Sequence, residues 1–372
     1  MHRVFVLICL VCMAGCKDPY DLPLRSTDKS LLVVEGVLRL GQDSTIITLS
    51  KTVNVNEKNG FKPVLKARLS VEDKNGKSIF LNEYSNGKYA INTLGLVAGS
   101  EYRLRIKTSD NKEYLSDYVI AQVTPAIDSV NWKKENENLG IFVNTHDNSN
   151  NTRYYRWEFY ETWEILSFYQ ANYQYLGGST VIASPRYHYQ CWKYDKFTTI
   201  HVGTSAQLSS DVISQFPLRE IQQFSEKLSV RYSILVKQDA LSKKAYEYLM
   251  LMKKNTETLG SIFDQLPSNL AGNIQCVSNP EEEVIGYLTA SSLSEKRIFI
   301  TAQEAGWKYY QDCFDVVYIP DNPESIKNLM PFYSPFDYQF VMALNTLCYL
   351  VAAPPCVECT KRGGDLARPS YW

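Results

Sequence analysis

The sequence predicts a mainly β fold, because short runs of alternating apolar and polar residues recur along it between strong turn signals. Tyr102, Leu104 and Ile106 alternate with basic residues, which is the pattern of a strand with one buried and one solvated face. Asn75-Gly76 separates two further runs, and this dipeptide tolerates the positive φ angles that a tight hairpin turn needs. The 26 tyrosines also favour strands, in which aromatic residues are enriched.

Residues 30–124 are expected to form a first domain of several short strands joined by tight turns. The predicted strands span Leu31–Leu38, Thr45–Leu49, Ala67–Asp73, Ser78–Leu81, 102–107 and Tyr114–Ser116. A second turn signal follows at Asn86-Gly87, and no convincing helical pattern interrupts the series. Short strands at this spacing predict an immunoglobulin-like β-sandwich.

Residues 125–372 are expected to form a larger β-rich domain that begins after Thr124-Pro125. Its predicted strands span Ile127–Trp132, Gly140–Asn144, Tyr154–Trp163 and Leu228–Val236, and Val284–Leu288 with Arg297–Ile300 are predicted to form a terminal strand pair. One inserted helix is predicted over residues 243–255, with Ser242 as its N-cap and an apolar stripe along one face.

Residues 1–16 have the features of a lipoprotein signal peptide. Arg3 is followed by an apolar run that is too short to remain as a membrane span, and small residues precede Cys16. The last four residues resemble a lipobox, whose cysteine is acylated and becomes the mature N-terminus. An ordinary cleavage site with a chance cysteine fits them less well. Each buried methylene contributes about 0.8 kcal/mol, so several acyl chains on Cys16 would anchor the protein in the outer-membrane bilayer.

Residues 17–29 are expected to be an extended tether, because Pro19 and Pro23 restrict the chain. The lysine-then-acid order of Lys17-Asp18 resembles the signal by which some Gram-negative bacteria export lipoproteins to the outer face of the outer membrane. It favours the extracellular face, while a solvated tether is the simpler reading of the same residues.

The composition and the motifs exclude several function classes. Lys and Arg number 39 and Asp and Glu number 40, so there is no basic field for nucleic acid. The three histidines of the mature chain, His146, His188 and His201, show no metal-binding spacing, and no nucleophile elbow or phosphate loop occurs. We therefore expect a protein that is not an enzyme and that holds no metal and no cofactor.

Six cysteines remain in the mature chain, and an even number in an exported protein suggests disulfides. They are Cys191, Cys276, Cys313, Cys348, Cys356 and Cys359. Cys356-x-x-Cys359 also fits a redox pair or half of a zinc site, but the flanking prolines and glycines offer no helix that would lower a thiol pKa. A structural disulfide is favoured, and a bond between Cys191 and Cys276 is a hypothesis. The tail from Cys348 to Trp372 is predicted to be fixed to the second domain with Cys356 and Cys359 both oxidised.

Aromatic residues are dense between Tyr154 and Tyr194. The part up to Trp163 is predicted to be core, whereas the Gly, Ser, Asn and Gln content beyond it suggests loops. Aromatic loops on a rigid β-scaffold commonly form interfaces, and they also stack on sugar rings. The candidate binding surface consists of Phe168, Tyr169, Tyr173, Tyr175, Tyr187, Tyr189, Trp192 and Tyr194.

Several short motifs together resemble one known family. They are Asp18-Pro19-Tyr20, Val33-Val34-Glu35-Gly36, Ile127-Asp128-Ser129-Val130, Cys191-Trp192, 231–238, 245–248, 272–276, 284–287, and in the tail Cys356-x-x-Cys359, Gly363-Gly364 and 369–372. The set resembles the domain of unknown function 4249. That resemblance implies a surface lipoprotein that often accompanies TonB-dependent outer-membrane receptors, and it implies no catalytic residue.

The sequence thus predicts a non-enzymatic outer-membrane lipoprotein that serves as an accessory or interaction subunit of a TonB-dependent receptor or an outer-membrane assembly complex. Its expected partners are the lipid bilayer, through acylated Cys16, and an outer-membrane β-barrel protein. The alternative is a lipoprotein that binds a glycan or another small nutrient for uptake. An uncharacterised hydrolase is a weaker third option.

Overall fold

The computed structural model describes residues 30–53, 61–196, 199–257 and 272–372. The predicted signal peptide, Cys16 and the tether of residues 17–29 lie outside these ranges. Within them the fold is mainly β, as the sequence predicted. No helix of the described ranges is long and apolar enough to cross a membrane.

The strands alternate with short turns along most of the described chain. In chain order they are β1 Leu32–Arg39, β2 Thr45–Lys51, β3 Lys62–Pro63, β4 Arg68–Asp73, β5 Ser78–Ser85, β6 Lys88–Ile91, β7 Glu101–Lys107, β8 Glu113–Ser116, β9 Val119–Ile120, β10 Ile127–Glu135, β11 Asn138–Asp147, β12 Tyr154–Leu166, β13 Tyr173–Gly177, β14 Thr180–Ala183, β15 Gln190–Lys196, β16 His201–Thr204, β17 Asp211–Gln222, β18 Arg231–Ala240, β19 Ile274–Cys276, β20 Val284–Ile285, β21 Thr289–Ser291, β22 Ser294–Thr301, β23 Val317–Pro320, β24 Ser334–Val341 and β25 Thr346–Ala352. The helices are α1 Lys243–Glu257, α2 Ala302–Ala305, α3 Pro323–Leu329 and α4 Pro354–Val357.

The N-terminal sheet contains β1 to β9, all within the residues predicted to form the first sandwich. The β4–β5 hairpin turns at Asn75-Gly76, where Gly76 has a φ of 87°. Inward residues of these strands form one core cluster in which Tyr89 and Tyr114 are almost completely buried. Each large side chain buried in this way contributes about 1.5–3 kcal/mol to the stability of the fold. Alternation along the strands places these side chains on one face of the sheet, which accounts for the position of this core.

Three later strands complete the same sheet. β19 pairs antiparallel with β8, while β20 and β21 pair parallel with β1. Gly286 is required at this return, because a Cβ atom there would come within 2.2 Å of the carbonyl oxygen of Val34. The predicted pairing of Val284–Leu288 with Arg297–Ile300 is wrong, since β22 pairs with β18 instead. Residues 274–291 thus return to the first sheet, which a boundary at residue 125 did not anticipate.

The second part of the described chain, which begins at β10, is built on two facing sheets. One has the order β10-β11-β17, and the other has the order β15-β12-β18-β22, with β16 also paired to β12. Their inner faces share a core in which the ring of Trp157 lies 4.3 Å from that of Phe216. The predicted helix is present as α1, and the hydroxyl of Ser242 accepts the backbone N–H of Ala245 at 3.2 Å. In the described part of the chain the structure adds the shorter helices α2, α3 and α4 to the single one predicted.

A buried ion network joins the two parts. The carboxylate of Asp239 on β18 accepts from Arg39 on β1, and also from Arg156 at 2.8 Å and the Ser291 hydroxyl at 2.9 Å. Although burial alone would raise it, the charges of Arg156 and Arg39 lower the pKa of Asp239. This network holds the first sheet against the second part.

Candidate functional site

Two disulfides fix the C-terminal region. Cys191 is bonded to Cys359, and Cys313 is bonded to Cys356. The hypothesis of a bond between Cys191 and Cys276 is therefore wrong, and Cys276 and Cys348 are buried free thiols. Because Cys356 and Cys359 each have a distant partner, they form neither a mutual redox pair nor half of a zinc site.

The end of the tail packs on β12 and β22, as the sequence predicted. The Tyr371 hydroxyl lies 2.8 Å from that of Thr162, and the guanidinium of Arg297 lies 3.6 Å from the centre of the Tyr371 ring. The indole N–H of Trp372 donates to the carboxylate of Glu164 at 3.1 Å. These contacts, together with the disulfides, fix the tail onto the second part.

Most of the predicted aromatic binding surface is an internal contact. Trp192 is only 5% exposed, and its backbone exchanges two hydrogen bonds of 2.8 Å with Asp365 of the tail. Tyr169 stacks on Phe336 at 4.1 Å, and Tyr173 lies 5.6 Å from the ring of Tyr349. These contacts bury Trp192 and cover part of Tyr169 and Tyr173, which are half-buried.

The C-terminal sheet provides the partners of Tyr169 and Tyr173. Its strand order is β23-β25-β24, and it packs against the β13–β14 hairpin. Tyr175 and Tyr187 contribute to the resulting clusters, and the ring of Tyr189 lies beneath the guanidinium of Arg186 at 5.5 Å. Of the eight predicted residues, Phe168 and Tyr194 remain exposed.

Phe168 belongs to a group of exposed aromatic side chains that the sequence did not bring together. We call Phe168, Phe224, Tyr310 and Phe314 the aromatic row; their exposed fractions are 45%, 50%, 74% and 77%. The rings of Phe168 and Phe314 lie 6.0 Å apart, and those of Phe224 and Tyr310 lie 6.1 Å apart. Tyr310 and Phe314 are four residues apart, so their Cα atoms are within about 14 Å of one another. One short segment therefore carries a ring of each pair.

The segment that carries Tyr310 and Phe314 is held firmly although it is neither helix nor strand. This strap, residues 307–316, has the side-chain amide of Gln311 bound to the Leu166 carbonyl at 3.3 Å. The carbonyl of Cys313 accepts the hydroxyl of Tyr169 at 2.8 Å, and its sulfur is tied to Cys356. A rigid strap presents its rings without the ordering cost that a flexible loop would incur on binding.

Phe224 has an unusual backbone conformation. Its φ is +59°, in the left-handed region that bulky residues rarely adopt. It lies in the turn after β17, where the N–H of Ser225 donates to the carbonyl of Gln222 at 3.2 Å. A glycine would fit this turn without strain, so the ring is retained at a cost to the backbone.

Among the residues that the structure describes, the histidines of the mature chain lie in ordinary polar contacts. His146 pairs with Asp128 at the surface, whereas His188 contacts Glu358 at 3.3 Å. Within the described ranges no group of three or more His, Cys, Asp or Glu side chains is placed to hold a metal ion. The geometry suits burial of aromatic surface against a partner.

A cleft of about 300 Å³ lies elsewhere, between the first sheet and the loop after β11. Its lining is Ala98, Gly99, Ile120, Ala121, Gln122, Val123, Pro125, Asp147, Ser149, Asn151 and Thr152. The oxygens of Asp147 accept hydrogen bonds of 2.6–2.9 Å from Ser149, Asn151 and Thr152. Partial burial raises its pKa, but these donors outweigh burial and lower the pKa of Asp147 to about 2. The carboxylate is thus already bound within its own loop.

Comparison with known proteins gives one family match. The model of a domain of unknown function, DUF4249, matches residues 17–297. The tail motifs that resembled this family lie beyond the matched residues. No curated protein matches the chain.

Solved structures with some likeness include a two-domain fibronectin type III segment of chicken tenascin, with 13% identity, a TM-score of 0.15 and coverage of 55% of this chain and 88% of that one. A putative carbohydrate-binding protein from Bacteroides uniformis has 9% identity, a TM-score of 0.15 and coverage of 57% and 91%. The first three fibronectin domains of chicken CNTN1 have 9% identity, a TM-score of 0.18 and coverage of 58% and 64%. At such low TM-scores none of the three indicates a function for this chain.

Proposed function

This chain belongs to the DUF4249 family, and from that premise we propose that it is a non-enzymatic, lipid-anchored protein of the outer membrane, on its extracellular face. In this proposal it acts as an interaction subunit of an outer-membrane β-barrel protein, such as a TonB-dependent receptor or an assembly complex. The aromatic row binds that partner. The anchor is Cys16, which lies outside the described residues.

The observation that carries the proposal is the exposure of the aromatic row. At about 200 Å² for each side chain, the four rings leave roughly 500 Å² of aromatic surface in water. Contiguous exposed apolar surface beyond a few hundred Å² marks interaction sites on soluble proteins, and within each of the two ring pairs the aromatic surface is contiguous. Rigid aromatic anchors of this kind provide much of the binding energy at protein interfaces.

Two further features support the proposed location. The two disulfides persist in oxidising compartments outside the cytoplasm. The sequence before Cys16 has the order of a lipoprotein signal. Both agree with a protein that is exported and then anchored.

The proposal is tested by affinity purification from gently solubilised outer membranes, with the tagged full chain expressed in its own host. We expect a β-barrel protein to co-purify with the unaltered chain and to be lost from the double variant Tyr310→Ser with Phe314→Ser. Phe80→Ser is the matched control, because Phe80 is also an exposed ring (64%) but lies on β5. If the barrel protein co-purifies equally with all three, or with none, the aromatic row is not the binding surface.

Glycan binding is the second candidate, and the exposed ring pair of Phe168 and Phe314 favours it, because sugars stack on such rings. None of the six tryptophans is exposed, so these phenylalanines would supply the platform. Titration of the purified chain with soluble oligosaccharides distinguishes the candidates. Saturable binding that Phe314→Ser removes would favour the glycan.

A further inference from the structure

The turn of the β24–β25 hairpin is apolar and exposed. We define the hairpin tip as residues 340–347. The exposed fractions of Phe340, Met342, Leu344 and Leu347 are 54%, 86%, 50% and 44%. Phe340 and Leu347 are directly opposed in the ladder, so their side chains lie on the same face. Four large apolar side chains are therefore concentrated at one projecting end of the sheet.

The tip contains no charge. Residues 339–347 include no Asp, Glu, Lys or Arg, although charged residues make up 21% of the chain. The hairpin is also well closed, because ladder pairs continue to Val341 and Thr346, and the N–H of Asn345 donates to the Met342 carbonyl at 3.1 Å. A segment that enters a lipid interface needs both properties, since charges and unpaired backbone groups resist transfer out of water.

Tyrosines lie directly behind the tip. Tyr338 and Tyr349 are opposed in the ladder, with ring centres 4.8 Å apart, and Tyr173 lies 6.0 Å from Tyr338. The Tyr338–Tyr349 pair lies two residues along the ladder from the Phe340–Leu347 pair, which is about 7 Å along a strand. The hydroxyl of Tyr338 donates to the carboxylate of Asp321 at 2.6 Å.

This order of side chains matches the depth profile of a bilayer surface. Apolar groups come first and tyrosines follow, and the carboxylate of Asp321 lies beside the Tyr338 hydroxyl, on a residue whose N–H donates to the Leu347 carbonyl at the base of the tip at 2.9 Å. Tyrosine is enriched where the headgroups meet the hydrocarbon, because its ring is apolar and its hydroxyl is polar. Elements that lie in the interface bury their apolar face by about 5–10 Å, which is the distance from the tip to the tyrosines.

We propose that the hairpin tip inserts into the surface of a lipid bilayer and is a second membrane contact of this protein. The inference goes beyond partner binding by the aromatic row, and it relies on the proposed anchor only for proximity to the membrane. The thirteen residues between Cys16 and Ser30 span at most about 45 Å when extended. A folded chain of this length has a radius of gyration of about 20 Å. Such a short tether keeps the folded part next to the bilayer. The tip is then at a high effective concentration at the membrane surface, so that even a weak affinity for lipid leads to insertion.

The test uses the full chain with Cys16→Ala, so that no acyl chain contributes. Flotation with vesicles of phosphatidylethanolamine and phosphatidylglycerol in equal amounts measures the bound fraction. We expect binding that changes little with salt, because apolar insertion is not screened. The double variant Met342→Asp with Leu344→Asp is expected to bind at least tenfold less. Val97→Asp is the matched control, since Val97 is an exposed apolar loop residue of the first sheet (63%).

A second variant reports insertion directly. Met342→Trp adds an indole at the most exposed position of the tip, and its fluorescence should shift to shorter wavelength when vesicles are added, relative to the Cys16→Ala background. The proposal is overturned if the Cys16→Ala chain does not float, if the aspartate variants float equally well, or if the added indole shows no shift. It also fails if the aspartate variants lose the co-purified barrel protein while keeping their affinity for vesicles, because the tip would then belong to the protein interface.

Discussion

Cys359 is bonded to Cys191, which lies 168 residues earlier in the chain. The bond ties the tail to β15, next to the strand that receives Tyr371 and Trp372. A covalent loop of this length restricts the unfolded chain strongly, which is the main way a disulfide stabilises a fold. The position of the tail therefore depends on oxidation, and the second disulfide, Cys313–Cys356, fixes the strap that carries Tyr310 and Phe314 in the same way.

We expect Cys359→Ser to lower the free energy of unfolding by about 2–5 kcal/mol, measured by urea titration of the purified mature chain. Cys276→Ser is the control, and it should cost less because no covalent bond is lost. Alkylation in denaturant without reductant should label Cys276 and Cys348 and none of the other four mature cysteines. Labelling of Cys313 or Cys356, or protection of Cys276, would contradict the pairing.

The buried network around Asp239 should be essential for joining the two parts. Asp239→Asn removes the counter-charge of Arg39 and Arg156, and leaving buried charges unpaired typically costs about 3–5 kcal/mol. Glu101→Gln is the control, because its ion pair with Lys74 is exposed and such pairs contribute about 1 kcal/mol or less. Equal losses in the two variants, measured by urea unfolding, would show that the Asp239 network does not stabilise the fold.

Asp147 should make the protein sensitive to acid. Its pKa is lowered to about 2, compared with about 3.9 for an unfolded aspartate. The stabilisation is complete above the unfolded value and is lost as the pH falls from about 4 to about 2, because the unfolded state then binds the proton more readily. The melting temperature of Asp147→Asn should therefore fall less over this range than that of the unaltered chain. Asp43→Asn, in an exposed turn, should melt as the unaltered chain does.

Lipidation is expected to be the main anchor. Cys16→Ala should leave an unlipidated chain in the periplasm or the medium, and carbonate extraction should remove any that stays with the outer membrane, because tip insertion alone is weak and reversible. Fractionation followed by immunoblotting measures the distribution, with Cys12→Ala as the control that keeps Cys16. If the Cys16→Ala chain resists extraction, another element provides the anchor.

The elements that the sequence predicted correctly are those that depend on residues close together in the chain. The alternation around Leu104 placed β7, and Ser242 before an apolar stripe placed α1, because both depend on neighbours in the chain. The partner of Cys191 was not predictable, since six cysteines allow fifteen connectivities and spacing does not rank them. Trp192 was assigned to a surface because the tail residue that pairs with it, Asp365, lies 173 positions later in the chain.

The two exposed surfaces differ in how far the sequence reveals them. Phe168 was identified from aromatic density, but Phe314 lies 146 residues later in the chain and meets it only through the fold. The hairpin tip had a local signal, the uncharged apolar run of residues 339–347. Part of this run lies in β24, an edge strand of its sheet. Edge strands usually carry charges that prevent pairing with another chain, and this run has none.

The strained turn at Phe224 allows partner binding to be separated from stability. Phe224→Gly relieves a left-handed conformation that costs a non-glycine residue about 1–2 kcal/mol, while the half-exposed ring loses little burial. We expect the free energy of unfolding to stay the same or rise and co-purification of the barrel protein to weaken. Phe80→Gly, at an ordinary backbone conformation on β5, should lose stability and keep the partner. If Phe224→Gly instead unfolds more easily and binds normally, the ring serves the fold, and the aromatic row loses one of its four members.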